Sequence, residues 1–241
     1  MYKVVWLAKF PPGSDRAEMS EYWTKEHGPR FMKTPGLVRY VQNHVIEPIG
    51  AEGPSDADIA FDGYSCAWFE SREAFEGAMK SPEWTDTVED GPNVFDMEWL
   101  WGKSAALNEY IMRGEPSHFP VDRDQKRYKV VWFTKFRSDK ALRDNQDYWR
   151  NHHGPLALRE PLMLGYTQNH VTAALGADGE TDDPVAFDGF SESWFADKES
   201  FQKAMLTDPW KALVVDGDNV FDMEYLWLGM SGVLDERVMV P

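Results

Sequence analysis

Four of the six histidines in this 241-residue chain form two pairs whose members lie 126 positions apart: His27 with His153, and His44 with His170. An imidazole titrates near neutral pH, so a repeated histidine is a candidate proton donor or acceptor. His27 and His153 follow predicted helices, whose macrodipole would favour the cationic form. We therefore expect them to donate a proton or to bind an anion. A histidine beside a turn is more often a hydrogen-bonding cap, and that role stays open at this point.

The second pair of histidines lies in two nearly identical segments, YVQNHV at Tyr40–Val45 and YTQNHV at Tyr166–Val171. Side chains alternate along a strand, so each segment has one polar face and one more apolar face. We expect the apolar face to lie under helices and the polar face to line a central cavity. Asn43 and Asn169 do not fit this division unless a β-bulge re-aims them. The polar faces consist of Tyr40, Gln42 and His44 in the first segment and Tyr166, Gln168 and His170 in the second.

A third pair of matching segments, FDGYSCAWFE and FDGFSESWFA, places a carboxyl group in the predicted cavity. Glu192 would stand there between Phe190 and Trp194, where loss of water should raise its pKa into a useful range for acid or base catalysis. Its counterpart in the first segment is Cys66, so the two halves of the cavity are not chemically equivalent. Trp68 and Trp194 are more typical of packing, but packing around a cavity also sets ligand specificity.

These segments belong to a domain that occurs twice in the chain. YKVVWLAKF at Tyr2–Phe10 returns as YKVVWFTKF at Tyr128–Phe136, and DGPNVFDMEWLW returns as DGDNVFDMEYLW, both at an offset of 126. A constant offset leaves almost no room for insertions, so each copy should fold as one unit. The sequence predicts a first repeat at residues 1–113, a linker rich in charge and proline at 114–127, and a second repeat at 128–241.

Each copy predicts the order strand, helix, strand, strand, helix, strand, which is that of a ferredoxin-like unit. In the first copy the opening helix is expected to begin after Ser14 and to stop at Gly28 and Pro29. NVFDMEWLW is predicted to be the closing strand, and Lys103–Met112 a short helix that leads into the linker. Helices on one face leave the other face of each sheet bare, so the two sheets should pack together into a closed or nearly closed α+β barrel of eight strands. Such a barrel can hold one small ligand.

Composition excludes several classes of function. The chain carries 25 Lys and Arg against 41 Asp and Glu, a formal charge of −16, which disfavours binding to nucleic acid or to anionic membranes. No apolar stretch is long enough to span a bilayer and the first residues do not resemble a secretory signal, so we expect a cytoplasmic protein. The single cysteine, Cys66, forbids an internal disulfide and a zinc site built on several thiolates. Neither a phosphate-binding glycine-rich loop nor a nucleophile elbow is present, and the histidine spacing disfavours a metal site.

Three motifs taken together resemble the EthD-like branch of the dimeric α+β barrel superfamily: YWTKEHGPRF, YVQNHV and FDGYSCAWFES, with YWRNHHGPLAL, YTQNHV and FDGFSESWFAD in the second copy. Members of that family are usually single domains that dimerise into the barrel, which implies that this chain supplies both halves itself. The family includes cofactor-independent enzymes such as muconolactone methylisomerases and fungal polyketide decarboxylases or dehydratases. The resemblance implies that no cofactor is needed and that the pocket residues are His27, His153, Tyr40, Tyr166 and Glu192.

The first copy departs from the family pattern at two positions. Arg30 follows the proline of the His-Gly-Pro turn, where the second copy has Leu156, and Cys66 occupies the acidic position. The second copy is therefore the closer match. Arg30 and Arg39 could instead bind a substrate carboxylate, a task for which a planar guanidinium is suited.

The predicted function is that of a cofactor-free isomerase or lyase that acts on a small conjugated oxo-acid or lactone from the breakdown of aromatic compounds. His153 or His170 would move the proton. Tyr166 would steady an enolate oxygen, with Glu192 assisting. The equivalent catalytic residues of the first copy are His27, His44 and Tyr40, and the expected substrate-binding residues are Trp194, Trp68, Gln42, Gln168, Arg30, Arg39 and Cys66.

Two other functions stay open from the sequence. One is an oxygenase of the same superfamily, either haem-binding or cofactor-free on a quinone-like aromatic. The other is a ligand-binding barrel without catalysis. We expect no nucleic-acid or membrane partner, and pairing of this pseudo-dimer with a second copy of itself is also left open.

Overall fold

The structure, a computed structural model, describes residues 1–50, 53–54, 60–114 and 127–240. Residues 115–126, which make up most of the predicted linker, lie outside the described residues.

In the first half, the helices pack on one face of a four-stranded antiparallel sheet. Their apolar side chains and those of the covered face form one buried cluster that includes Trp6, Phe75 and Trp84. The elements are β1 Tyr2–Ala8, α1 Arg16–Tyr22, a π-helical turn Trp23–His27, α2 Gly28–Phe31, β2 Leu37–Gly50, β3 Gly53–Pro54, β4 Gly63–Phe69, α3 Arg72–Ala78, α4 Pro82–Asp90, a 3₁₀ turn Gly91–Asn93, α5 Met97–Trp101 and β5 Ser104–Arg113.

The second half repeats this order with closely similar boundaries. Its covered face and helices form an equivalent cluster around Val130, Phe201 and Trp210. The elements are β6 Tyr128–Thr134, α6 Leu142–Tyr148, a π-helical turn Trp149–His153, α7 Gly154–Ala157, β7 Gly165–Gly176, β8 Gly179–Thr181, β9 Gly189–Phe195, α8 Lys198–Ala204, α9 Asp208–Gly217, α10 Met223–Trp227 and β10 Ser231–Val240.

The two sheets join edge to edge and close into an eight-stranded antiparallel barrel, as the sequence predicts. The strand order is β5-β1-β4-β2 in the first half and β10-β6-β9-β7 in the second, and the seams are the pairs β5–β7 and β10–β2. Each closing strand thus pairs with the second long strand of the other half. Apolar side chains from both halves, among them Val5, Tyr64 and Phe190, meet inside the barrel.

The end of each repeat differs from the prediction. Val94–Trp101 does not form the closing strand, because the Asp96 side chain accepts a hydrogen bond from the Trp99 N–H at 3.0 Å and caps the helix α5. Ser104–Arg113, predicted as part of a helix, is the closing strand β5. This strand is defined by pairing with β7 of the other repeat, and a long-range partner of this kind leaves no local pattern in the sequence.

The first helix also continues further than predicted. Its N-cap is Asp15 rather than Ser14, since the Asp15 carboxylate accepts hydrogen bonds from the backbone N–H groups of Ala17 and Glu18. Gly28 and Pro29 do not end the helix. The N–H groups in the first turn of a helical segment have no hydrogen-bond partner within the helix, so a proline, which lacks this group, is tolerated at the start of α2. The π-helical turn before them inserts an extra residue and so changes the direction in which His27 points.

The faces of the second strand are the reverse of those predicted. Tyr40 packs under the helices, with its ring 4.7 Å from that of Phe31, and His44 lies 4.4 Å from the ring of Trp23. The barrel interior instead receives Val41 and the otherwise unexplained Asn43, whose Oδ1 accepts a hydrogen bond from a buried lysine. Both faces of the strand are buried, so alternation alone could not show which face met the helices.

Candidate active site

The described residues of each half form an aromatic pocket, and both of these pockets lie between the barrel wall and the helices rather than inside the barrel. The first encloses about 520 Å³ and the second about 580 Å³, including the open mouth of each. Their walls are mainly aromatic, and no Lys, Arg, Asp or Glu is found among the described residues that line them. Aromatic walls are contributed by Trp6, Trp23, Phe31, Tyr40, Trp84, Phe95 and Trp101 in the first pocket and by Trp132, Trp149, Tyr166, Trp210, Phe221 and Trp227 in the second.

A histidine paired with an aspartate reaches each pocket from the first helix. His27 Nδ1 lies 2.9 Å from Asp90 Oδ2, and His153 Nδ1 lies 2.9 Å from Asp216 Oδ2. A carboxylate only accepts hydrogen bonds, so Nδ1 carries the proton and the lone pair is on Nε2. No hydrogen bond to either Nε2 is found among the described residues, and both imidazoles line their pockets.

Each aspartate is held by two further donors. Tyr148 Oη donates to Asp216 Oδ1 at 2.8 Å, and Asn219 Nδ2 donates to the same oxygen at 3.2 Å. In the first half, Tyr22 Oη and Asn93 Nδ2 make the same contacts to Asp90 at 2.8 and 3.2 Å. Such partners fix the carboxylate, and the carboxylate in turn fixes the tautomer and the orientation of the imidazole.

The expectation that these histidines are cationic is wrong. Burial lowers the pKa of His27 and His153 below the ordinary value, although the neighbouring aspartates oppose this change. The helix does not end at either histidine, so the carbonyl groups of a helix terminus are not available to stabilise a positive charge. Both imidazoles are therefore neutral near pH 7 and are suited to accept a proton rather than to donate one.

A tyrosine hydroxyl is the second polar group that both pockets share. Tyr166 Oη accepts hydrogen bonds from Gln168 Nε2 and Trp149 Nε1, each at 3.3 Å, and Tyr40 Oη accepts one from Gln42 Nε2 at 3.1 Å. Nitrogen donors leave the hydroxyl proton of Tyr166 available for a bound oxygen. Burial raises the pKa of both phenols, so they stay protonated.

The glutamines Gln42 and Gln168 position these tyrosines and do not line either pocket. Gln168 Nε2 also donates to the backbone oxygen of Trp149 at 3.1 Å, and so ties the strand to the π-helical turn. This contact explains the glycine in each His-Gly-Pro motif, because a Cβ on Gly154 would lie 2.5 Å from Gln168 Nε2. The same close approach occurs between Gly28 and Gln42 in the first half.

His44 and His170 lie beside the pockets and are structural in this arrangement. His170 stacks on Trp149 with 4.4 Å between ring centroids, and its Nε2 lies 3.2 Å from Gln168 Oε1. His44 Nδ1 lies 2.7 Å from the hydroxyl of Ser20. The structure thus separates the four repeated histidines into one pair that lines the pockets and one pair that packs behind it.

The buried histidines predict a loss of stability in acid. Burial, with Arg237, lowers the pKa of His44 to about 3, and burial, with Arg150, lowers that of His170 to about 4. The unfolded chain, with pKa values near 6.5, takes up these protons first, so the free energy of unfolding should fall below about pH 6.5 by up to about 1.4 kcal/mol per pH unit for each histidine. Urea unfolding at pH 7 and pH 5 measures this slope. His44→Asn with His170→Asn should flatten it and the exposed His152→Asn should not; an unchanged slope in the double variant would assign the effect to other groups.

The remaining predicted site residues lie in the barrel interior or at the surface. Glu192, Cys66, Trp68, Trp194 and Arg39 surround a third cavity of about 410 Å³ inside the barrel. The predicted rise in the pKa of Glu192 is wrong. Burial would raise this pKa, but Lys129 and Lys3 outweigh it and lower the pKa to about 2. Glu192 is therefore a permanent carboxylate, and it does not line either aromatic pocket.

Arg30 lies outside the first pocket and is bound to acidic side chains. Its guanidinium is 3.0 Å from the Asp86 carboxylate and 3.5 Å from Asp90 Oδ1. Leu156 occupies the equivalent position in the second half, so the described residues place this arginine beside the aspartate of His27 and no counterpart beside that of His153. The guanidinium of Arg39 lies 5.0 Å from the ring of Trp68.

Sequence reasoning missed the aspartates and the helices that carry them. Asp90 ends α4, and Asp216 lies in α9, two helices that were not predicted. Two signals could have revealed them. The segments SPEW and TDPW place a capping hydroxyl before a proline at the helix start, and the Asp-Gly pair that follows recurs at the constant offset.

This combination of a closed antiparallel barrel with helices outside defines an α+β barrel of the dimeric type, here within one chain. The family model of the EthD domain matches residues 11–98 and again 139–224. The chain therefore belongs to the EthD family and contains its domain in tandem. None of the curated proteins compared with the chain matches it.

Several solved structures share the fold across nearly the whole chain. An anthrone oxidase-like protein aligns with 98% of this chain and 92% of its own, at 13% identity and a TM-score of 0.60. A protein from Fusobacterium nucleatum that is provisionally called a monooxygenase aligns with 99% of this chain and 92% of its own, at 10% identity and a TM-score of 0.58. Another with the same provisional name, from Lactobacillus acidophilus, aligns with 99% and 95% at 12% identity and a TM-score of 0.53. At these identities the similarity establishes the fold alone.

Two further features are absent from the part of the chain that the structure describes. Its helices include none that is long and apolar enough to cross a membrane. Within the same residues, no group of three or more His, Cys, Asp or Glu side chains is arranged to hold a metal ion.

Proposed function

We propose that the chain is a cofactor-free oxygenase that binds a neutral, multi-ring aromatic ketone or phenol in its two aromatic pockets. The observation that carries this proposal is that a neutral histidine base and a protonated tyrosine line the same aromatic pocket in each half. Such a pair can take a proton from a substrate while it stabilises the oxygen on which negative charge develops.

The first step is a proton transfer. His153 Nε2 accepts a proton from an acidic C–H or O–H of the substrate, and Asp216 stabilises the imidazolium that forms. Tyr166 donates a hydrogen bond to the substrate carbonyl oxygen, so that the negative charge is spread over the ring system. The resulting anion is electron-rich and can react with molecular oxygen. For a ring methylene, the reaction balances as CH₂ plus O₂ giving a ketone C=O plus water.

The charge of the pocket walls favours a neutral substrate. Burying a carboxylate without a cationic partner is costly, and the described linings contain no Lys or Arg. This argues against the small oxo-acids considered from the sequence. It also argues against haem, whose two carboxylates would find no cationic partner in the described linings. The names of the structural neighbours mention anthrone oxidation and monooxygenation, which agrees with the proposal of an oxygenase. These neighbours share only the fold with this chain.

An isomerase or lyase of the kind predicted from the sequence would use the same first step and would not need oxygen. The two reactions can therefore be separated with one substrate. Anthrone, a neutral three-ring ketone with an acidic methylene group, is a suitable probe. We expect oxygen uptake above the buffer blank in a Clark electrode, with one O₂ consumed per molecule of anthrone.

The anaerobic arm of this experiment tests the proton transfer by itself. In D₂O without oxygen, deuterium should exchange into the methylene group faster than in buffer, and no oxidised product should form. Exchange without any aerobic oxygen uptake would contradict the oxygenase and favour the isomerase or lyase. Binding without exchange would favour a barrel that only holds a ligand. A Soret band in the purified protein would contradict the argument against haem.

A further inference from the structure

The two pockets differ at the position directly across the sheet from the tyrosine. Ser193 on β9 pairs with Tyr166 on β7, is fully buried and lines the second pocket. Its hydroxyl has no hydrogen-bond partner among the described residues. A buried hydroxyl without a partner is unfavourable, so a group that enters the pocket with a free oxygen or N–H would be stabilised there. The equivalent residue in the first half is Ala67, which pairs with Tyr40 and carries no hydroxyl.

The pockets also differ in the side chains that line them beside this position. In the first half, Phe31 lines the pocket, and its ring lies 4.7 Å from that of Tyr40 and 5.5 Å from that of Trp6. The corresponding residue in the second half is Ala157. There the pocket extends as far as Met163 and Ser193, whereas their counterparts Leu37 and Ala67 are not part of the first lining.

Together these differences indicate that duplication has produced two pockets of different selectivity. We propose that the second pocket binds a larger member of the substrate class, with an additional hydroxyl group at the edge of its rings that hydrogen-bonds to Ser193 Oγ, and that Phe31 excludes this compound from the first pocket. This inference rests on the proposed function, because it assumes that both pockets bind aromatic ligands. Ser193 is a specificity-determining residue in this scheme and takes no part in the proton transfer.

Two other serine or threonine hydroxyls line the second pocket, those of Thr134 and Ser191, but Ser191 has an equivalent serine, Ser65, in the lining of the first pocket and so does not distinguish the two. Thr134 Oγ1 already donates to the backbone oxygen of Gly189 at 3.2 Å. Tyr166 Oη accepts two nitrogen donors, and its remaining proton is assigned to the substrate carbonyl. Among the described lining residues, Ser193 is thus an unpartnered hydroxyl that the second pocket has and the first lacks, and it offers a separate contact for an oxygen at another edge of the ring system.

Binding of two stable probes tests the inference. Anthraquinone and 1,8-dihydroxyanthraquinone share the three-ring skeleton and differ in hydroxyl groups at the ring edge. By titration calorimetry we expect wild-type protein to bind anthraquinone at two sites per chain and the dihydroxy compound at one. Ser193→Ala should weaken binding of the dihydroxy compound by about 3- to 10-fold, the value of one hydrogen bond, and leave anthraquinone unchanged.

The reverse substitutions should give the first pocket the selectivity of the second. Phe31→Ala with Ala67→Ser should raise the stoichiometry of the dihydroxy compound from one to two sites per chain. Equal binding of this compound at two wild-type sites, or an unchanged affinity in Ser193→Ala, would overturn the selectivity proposal while leaving the proposed function intact. If neither probe binds, both proposals fail. Ser193→Ala removes one oxygen atom, so its circular dichroism and melting temperature serve as the folding control.

Discussion

Replacing His153 by Ala is expected to lower the turnover of the second pocket by about 10²- to 10⁴-fold, the usual contribution of a positioned general base. The variant keeps the aromatic walls and Tyr166, so ligand affinity should change little. His153→Ala with His27→Ala should remove the base from both pockets and reduce the activity of the whole chain to the same extent. Oxygen uptake and anaerobic deuterium exchange in anthrone measure the two steps separately.

The neighbouring residue provides a matched control for this experiment. His152 is exposed and adjacent in the chain, so His152→Ala removes an imidazole of the same kind without touching the pocket. Its activity should equal that of the wild type. Wild-type exchange rates in the double variant of His27 and His153 would exclude these residues as the base and with them the proposed mechanism.

The protonation state of the two histidine bases should make the same reaction depend on pH. A neutral imidazole is the active form, so activity should fall as the pH is lowered through the pKa of the base. Burial lowers the pKa of both His27 and His153, and Arg30 lowers that of His27 further. The acid limbs of both pockets should therefore lie below the ordinary histidine range.

The barrel could be predicted from the sequence because the chain contains two copies of the same sheet. Two copies with the same bare sheet face can hide that face only against each other, and this holds whichever residues the face carries. The third strand of each repeat was assigned correctly, since Cys66, Trp68, Glu192 and Trp194 line the cavity inside the barrel. The direction of the side chains on the second strand did not follow, because the alternation rule assumes that one face is apolar. Here the interior contains Lys3 and Lys129, and the outer face contains Gln42 and His44, so polarity does not distinguish them.

The repeated YxQNHV segment shows why its residues could be recognised as special but not assigned. The tyrosine lines the pocket, the glutamine holds the π-helical turn, the asparagine binds a lysine inside the barrel, and the histidine packs on a tryptophan. Only the first of these roles belongs to the proposed site. The catalytic partner Asp216 lies on another helix, and its approach to His153 depends on tertiary packing rather than on sequence spacing.

The interior lysines lead to the largest expected effect on stability. Lys129 Nζ lies 2.6 Å from Glu192 Oε1, 2.6 Å from Glu236 Oε1 and 2.8 Å from Asn43 Oδ1. These three acceptors satisfy all three N–H donors of the ammonium group. Lys3 has equivalent contacts with Glu109 and Asn169, each at 2.7 Å, but it is 3.8 Å from Glu192. Glu192 therefore depends mainly on Lys129 for its compensating charge.

Lys129→Met is accordingly expected to lower the free energy of unfolding by about 3–5 kcal/mol, because it leaves buried carboxylates without their cation. Urea unfolding near pH 7 measures the change. The exposed pair Lys203 and Glu199 is a matched control, since its 2.7 Å contact is similar in length but lies in solvent, and Lys203→Met should cause no measurable loss.

A second substitution separates charge from packing. Glu192→Gln keeps the shape of the side chain and removes the charge that Lys129 compensates. If the cost of Lys129→Met arises from the uncompensated carboxylate, the double variant Lys129→Met with Glu192→Gln should recover part of the lost stability. If the double variant is less stable than Lys129→Met alone by the full cost of Glu192→Gln, the two side chains are not coupled. In that case the stability of the barrel interior would rest on its apolar contacts, among them those of Tyr64 and Phe190.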